Sequence, residues 1–141
     1  MSKLNFWAQA TAPGLSIHCE LDGRVIYTGD ATVEPQEIQA NFADDPGEHT
    51  FTITMSGKRD QHTALNEAGE IVRDTVIEIR DFALDGILLK DILSKHAVYQ
   101  HNQNDHFPES ITEPFYCIMG CNGCVTFKFT SPTYLWLLEN M

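Results

Sequence analysis

Alternation of apolar and polar residues, broken and restarted at short turn signals, constrains this chain more than anything else in it. Leu4, Phe6 and Ala8 alternate with Asn5, Trp7 and Gln9 before Pro13-Gly14 turns the chain. Leu15, Ile17, Cys19 and Leu21 then alternate with Ser16, His18, Glu20 and Asp22. The Asp22-Gly23 pair that follows, ahead of Val25-Ile26-Tyr27, is the signature of a tight hairpin, because such turns need residues that accept positive φ. A period of two sends successive side chains to opposite faces of a strand, so these segments predict sheets with one apolar face.

The same pattern returns further along. Phe51, Ile53 and Met55 alternate with Thr50, Thr52 and Thr54, giving one core face and one threonine-lined face that suits a contact. Val125, Phe127 and Phe129 alternate with Thr126, Lys128 and Thr130. The segment VEPQEIQANF carries a proline and is expected as an edge strand, with DDPGEH a loop after it. In DTVIEIRDFALDGILL the apolar phase slips at Arg80-Asp81, as a β-bulge or a bend between sheets requires. SGKRDQHTALNEAGEIVRD reads as a long polar loop or a short hairpin of its own, and DILSKHAVYQ as one or two helical turns.

The expected architecture is therefore a single all-β domain over residues 1–141. It is an antiparallel two-sheet β-sandwich, jelly-roll-like, with segments 15–21, 50–56, 75–79 and 124–130 facing one core. A chain of 141 residues buries a sizeable core without staples. HNQNDHFPESITEP forms a long polar loop near 100–114, and long ordered loops often carry function. The final TYLWLLENM is either a buried last strand or a docking segment.

Nine basic against twenty acidic residues give a net charge of −11, which argues against nucleic acid as a partner. No apolar run of signal-peptide or membrane-spanning length occurs, so neither secretion by a signal peptide nor a membrane partner is expected. Reduced cysteines follow from that expectation.

Several residue groups carry candidate chemistry. Cys117, Cys121 and Cys124 form a nest around Gly120 and Gly123 that a zinc ion would need Cys19 or a histidine to complete. The alternatives are small core residues or a disulfide, and the expected cofactor is none. Asp74, Asp81 and Asp85 flank the bend, with Asp44, Asp45 and Asp60 in loops, so calcium is the second metal alternative although no EF-hand spacing occurs. His96, His101 and His106 recur beside Tyr99, Asn102, Asn104 and Asp105, either as a solvated loop or as a binding loop for a sugar, a cation or a neighbouring subunit. There is no GxSxG, HExxH, P-loop or dinucleotide fingerprint, so an enzyme is not expected. Trp7, Tyr27, Tyr99, Tyr134 or Trp136 would stack on sugar rings if exposed.

The layout of IHCELDGRVIY, EHTFTITMSGK and DTVIEIRDFALDGILL resembles the small β-sandwich carbohydrate-binding modules, particularly the calcium-dependent xylan-binding type, over residues 4–100. The C-terminal FYCIMGCNGCVTFKFTSPTYLWLLENM resembles the ends of small virion proteins of tailed phages infecting marine cyanobacteria. That second resemblance implies a non-enzymatic structural, decoration or adaptor protein of a virion. It would act by assembly with other virion proteins or with itself, through His101, Asn102, Asn104, His106, Tyr134 and Trp136. The first implies the alternative, a glycan-binding module, calcium-dependent or not.

Overall fold

A computed structural model of the chain describes residues 1–59, 63–65, 67–69, 71–102 and 109–141. Two antiparallel sheets face each other across one apolar core. The first is built on β1 (Ser2–Ala10), which pairs with β4 (Gln36–Phe42) on one side and β8 (Ile77–Leu84) on the other. β9 (Ile87–Leu88) and β12 (Ile118–Met119) complete it along β8. The second sheet runs in the order β11 (Ile111–Pro114), β10 (Ala97–His101), β13 (Gly123–Ser131), β5 (Gly47–Ser56), β2 (Ser16–Leu21) and β3 (Arg24–Asp30). A separate hairpin pairs β6 (Thr63–Leu65) with β7 (Ile71–Asp74), the short hairpin that the polar stretch allowed.

The alternation read in the sequence sets which side of each strand is buried. Leu4, Phe6 and Ala8 meet Ile17, Cys19, Phe51, Ile53, Val125 and Phe127 in the core. Phe6 stacks on Phe82 with centroids 5.3 Å apart, and Phe82 meets Phe127 edge-on at 5.4 Å, so aromatic contacts join the two sheets at their centre. β2 and β3 are joined at Asp22 (φ 52) and Gly23 (φ 80), both positive as a type I′ turn requires. Asp85 (φ 51) and Gly86 (φ 80) repeat this between β8 and β9. The phase slip is a bulge: Trp7 faces Arg80 and Asn5 faces Ala83, so Asp81 and Phe82 together oppose Phe6. As the proline indicated, β4 is an edge strand.

Two expectations need correction. The loop near 100–114 is shorter than read, since His101 pairs with Ile111 and Val98 with Pro114 in a β10–β11 hairpin. All four β11 side chains are exposed, so no alternation announced the strand. The C-terminal run is not a strand but a helix, α2 (Thr133–Asn140). Five consecutive large apolar side chains carry no readable period. The helix resolves them into Trp136 and Leu137 inward and Tyr134, Leu135 and Leu138 outward. A shorter helix, α1 (Asp91–His96), supplies helical turns over the first part of DILSKHAVYQ only, since Ala97–His101 is β10 with Ala97, Tyr99 and His101 buried in alternation.

Candidate functional site

The thiols do not form a ligand set. Cys117 sits before β12 at φ 72, Cys121 in the bend before β13, Cys124 on β13, and Cys19 deep in the core, all four as free cysteines. Burial pushes the Cys19 thiol up to about 12 and also raises Cys117 and Cys121, as for thiols packed against apolar surroundings. The aspartates are likewise occupied elsewhere. Asp74 accepts from Lys58 Nζ at 2.6 Å, Asp85 accepts from the Lys3 N–H at 2.8 Å and from the Thr133 hydroxyl, and Asp81 lies in the bulge. Asp44 accepts from the Thr133 N–H at 3.1 Å. Asp60 lies outside the described residues. Among the described residues no three His, Cys, Asp or Glu side chains converge as a metal site.

Of the residues expected to bind a partner, His101 closes β10 with Nε2 3.0 Å from Glu113 Oε1, its ring tilted on Tyr99 at 4.5 Å. Its Nδ1 is buried with no hydrogen-bond partner among the described residues. Asn102 follows it, whereas Asn104 and His106 lie outside the described residues. Tyr134 is exposed on α2. Trp136 is not available to a partner: it is only 6% exposed and packs on Phe127 at 5.6 Å and His96 at 5.1 Å. An indole at the end of an aromatic core buries more surface there than any contact on the rim would give it.

Three distant segments assemble a relay that no sequence spacing announced. Asp22 Oδ2 is 2.7 Å from His49 Nδ1, and His49 Nε2 is 2.9 Å from Ser131 Oγ. The connectivity is that of a nucleophile, a base and an orienting carboxylate. The environment is not. Ser131 is buried, and its hydroxyl donates to the Asp45 carbonyl at 2.5 Å, a bond that ties the oxygen to backbone instead of presenting it to a substrate. A cleft of about 340 Å³ beside His49, Phe129 and Lys128 does not include Ser131 in its lining. The relay is a clasp joining the β2–β3 turn, β5 and the end of β13.

The outer face of the six-stranded sheet has a different character. Register places Thr112, Gln100, Cys124, Thr54, His18 and Thr28 in one row across all six strands. The Gln100, Cys124 and Thr54 part of this row borders a shallow groove of about 360 Å³ that is also lined by His101, Asn102, Ser110, Asn122 and Gly123, with no Asp, Glu, Lys or Arg among the described residues of its lining. Gln100 donates to Ser110 Oγ at 3.0 Å across the hairpin. Asn122 is fixed from below, accepting from the Lys58 N–H at 2.9 Å and donating to the Lys58 carbonyl at 3.0 Å. Gly123 permits the geometry: a Cβ there would lie 2.4 Å from the Gln100 carbonyl oxygen.

On the opposite sheet the outward residues of β1 are Lys3, Asn5, Trp7 and Gln9, with Trp7 between Glu37 of β4 and Arg80 of β8. Glu37 accepts from Asn5 Nδ2 at 3.3 Å and from Gln39 Nε2. Arg80 donates to Gln9 Oε1 and lies 3.8 Å from Glu78, while Gln9 Nε2 donates to the Val33 carbonyl at 2.9 Å.

No family model matches the chain, and no curated protein matches it. Among solved structures it is similar to vCBM60 in complex with galactobiose, at 15% identity and a TM-score of 0.51, covering 89% of this chain and 96% of that one. It is similar also to a selenomethionine form of vCBM60, described in work on circular permutation between two families of calcium-dependent carbohydrate binding modules. There the identity is 12% and the TM-score 0.53, with 90% of each chain covered. At these identities, what this chain shares with the carbohydrate-binding module is its β-sandwich fold.

Proposed function

We propose that this domain is a non-catalytic glycan-binding module whose ligand lies in the groove on the six-stranded sheet. The observation that carries the reading is the lining of that groove. In a chain of net charge −11, its described residues contribute amides, hydroxyls, a thiol and the His101 imidazole, and none of them is a carboxylate or a permanent cation. Sugar hydroxyls both donate and accept, and neutral amides and hydroxyls answer them in both roles. The likeness to vCBM60 supports the same reading and moves it ahead of assembly. Isothermal titration with galactobiose and with xylo- and cello-oligosaccharides tests it. Saturable binding weakened tenfold or more by Gln100→Ala together with Thr54→Val supports the groove. Absence of binding to every glycan in such a series removes the reading.

Assembly is the second reading, favoured by the outward side of α2, where Tyr134, Leu135, Leu138 and Met141 are exposed together. Here the chain is a component of a tailed-phage virion and α2 contacts a neighbouring protein or a second copy. Sedimentation of the wild type and Leu138→Glu at high concentration tests self-association. A monomer in both cases leaves only a contact with another protein.

A further inference from the structure

Trp7 stands in the middle of the outer face of the five-stranded sheet, on a strand paired on both sides, and is 39% exposed. A tryptophan in that position forgoes part of the stabilisation that full burial would bring, its neighbours covering the ring only in part. They are instead hydrogen-bonding groups that hold one another. Asn5 and Gln39 both donate to Glu37, and Gln9 and Glu78 hold Arg80. Each carboxylate oxygen of Glu37 keeps a lone pair for a further donor, and Arg80 has five N–H groups, more than these two contacts use.

An apolar ring rimmed by fixed donors and acceptors matches the chemistry of a pyranose, which carries C–H groups on a face and hydroxyls around its edge. The two networks hold the rim in place, so binding would order few side chains. One indole within a polar rim is too small to be the core of a protein interface, which needs about 1,000 Å² or more. We propose that the Trp7 platform is a second carbohydrate-binding site, on the sheet opposite the groove, that takes a pyranose ring by stacking and without a metal ion. The inference rests on the glycan-binding reading and adds a site to it. It also departs from the calcium dependence described for the modules of similar fold, because the platform is built from an indole, amides, Glu37 and Arg80, with Glu37 already accepting from two amide donors.

The chain has two tryptophans, and Trp136 is buried, so quenching by acrylamide reports chiefly on Trp7. The whole chain is titrated with galactobiose, xylohexaose and cellohexaose, in calcium chloride and in EDTA. The expected result is a saturable blue shift and a severalfold loss of quenching with at least one sugar, equal in both buffers. Trp7→Ala should weaken binding of that sugar tenfold or more and Trp7→Phe should weaken it less, with both melting as the wild type does. Binding that EDTA abolishes overturns the proposal. So does binding that survives Trp7→Ala but is lost in Gln100→Ala, an outcome that leaves the groove reading standing. Absence of binding to all three sugars overturns the platform and counts equally against the groove.

Discussion

Asp22 and His49, twenty-seven positions apart, meet at 2.7 Å and join the β2–β3 turn to β5. Partial burial works to raise the Asp22 carboxyl. The His49 hydrogen bond, the Thr50 N–H and the nearby His49 and Arg24 charges outweigh it and hold the carboxyl below its ordinary range.

A carboxyl that titrates lower in the folded chain than in the unfolded one stabilises fully above the unfolded value of about 3.9. That stabilisation disappears as the pH falls through the folded pKa. The expected outcome is a melting temperature that declines less steeply below pH 4 in Asp22→Asn than in the wild type, by a modest amount because Asp22 is well solvated. Parallel declines in the two proteins would remove the clasp from the acid response.

Lys58 is a lysine with a side chain only 1% exposed, held by Asp74 at 2.6 Å and the Gly120 carbonyl at 2.5 Å. Asp74→Ala leaves this ammonium buried without its counter-ion and should cost on the order of 2–4 kcal/mol, whereas Lys58→Met should cost much less. Urea unfolding of the two variants checks the asymmetry. Equal losses would mean that the hydrogen bonds of the lysine outweigh its charge.

At Gly123 the constraint is space. An added Cβ would meet the Gln100 carbonyl oxygen at 2.4 Å and His101 Cβ at 2.7 Å, so Gly123→Ala must push β10 away from β13. The expected cost is about 1–3 kcal/mol, as for other overpacked sites, accompanied, if the adjoining groove is the proposed glycan site, by weaker binding there. Unchanged stability would show that the two strands have slack the distances do not reveal.

The two sides of α2 should separate cleanly. Trp136→Ala removes a core aromatic and should cost about 3–5 kcal/mol, as should Phe127→Ala beneath it. Leu138→Ser, on the exposed side, should change stability by less than about 0.5 kcal/mol. Deleting residues 135–141 takes both sides and should abolish the cooperative transition or lower it sharply. A truncated protein that melts as the wild type does would place α2 outside the folding unit.

Strand existence was legible in Leu15 to Leu21 and Val125 to Phe129, because burial of one face is what writes the alternation, but not in β10, where Ala97, Tyr99 and His101 alternate over too few residues to stand apart from the helical turn before them. The Asp22-Gly23 turn and the Arg80-Asp81 bulge were legible for similarly local reasons. β11 was not, since all its side chains face water, and α2 was not, since an unbroken apolar run suits strand and helix equally. The phase of β1 points Trp7 outward. Its companions were hidden, because Glu37 and Arg80 reach it only through the register of two other strands. The same holds for the groove, where Thr54, Gln100 and Asn122 come from three separate stretches of chain.

The position of β13 bears on how the protein is made. It is the last strand in sequence yet lies between β10 and β5 in the middle of its sheet. Until residues 123–131 have been made, β5 and β10 therefore each keep an open edge where β13 will sit. Such distant pairings close slowly, and unpaired edges in the interval invite pairing with other chains. Yield in the cell should thus depend on how quickly residues 123–131 reach their neighbours, more than on how firmly the finished sandwich is held.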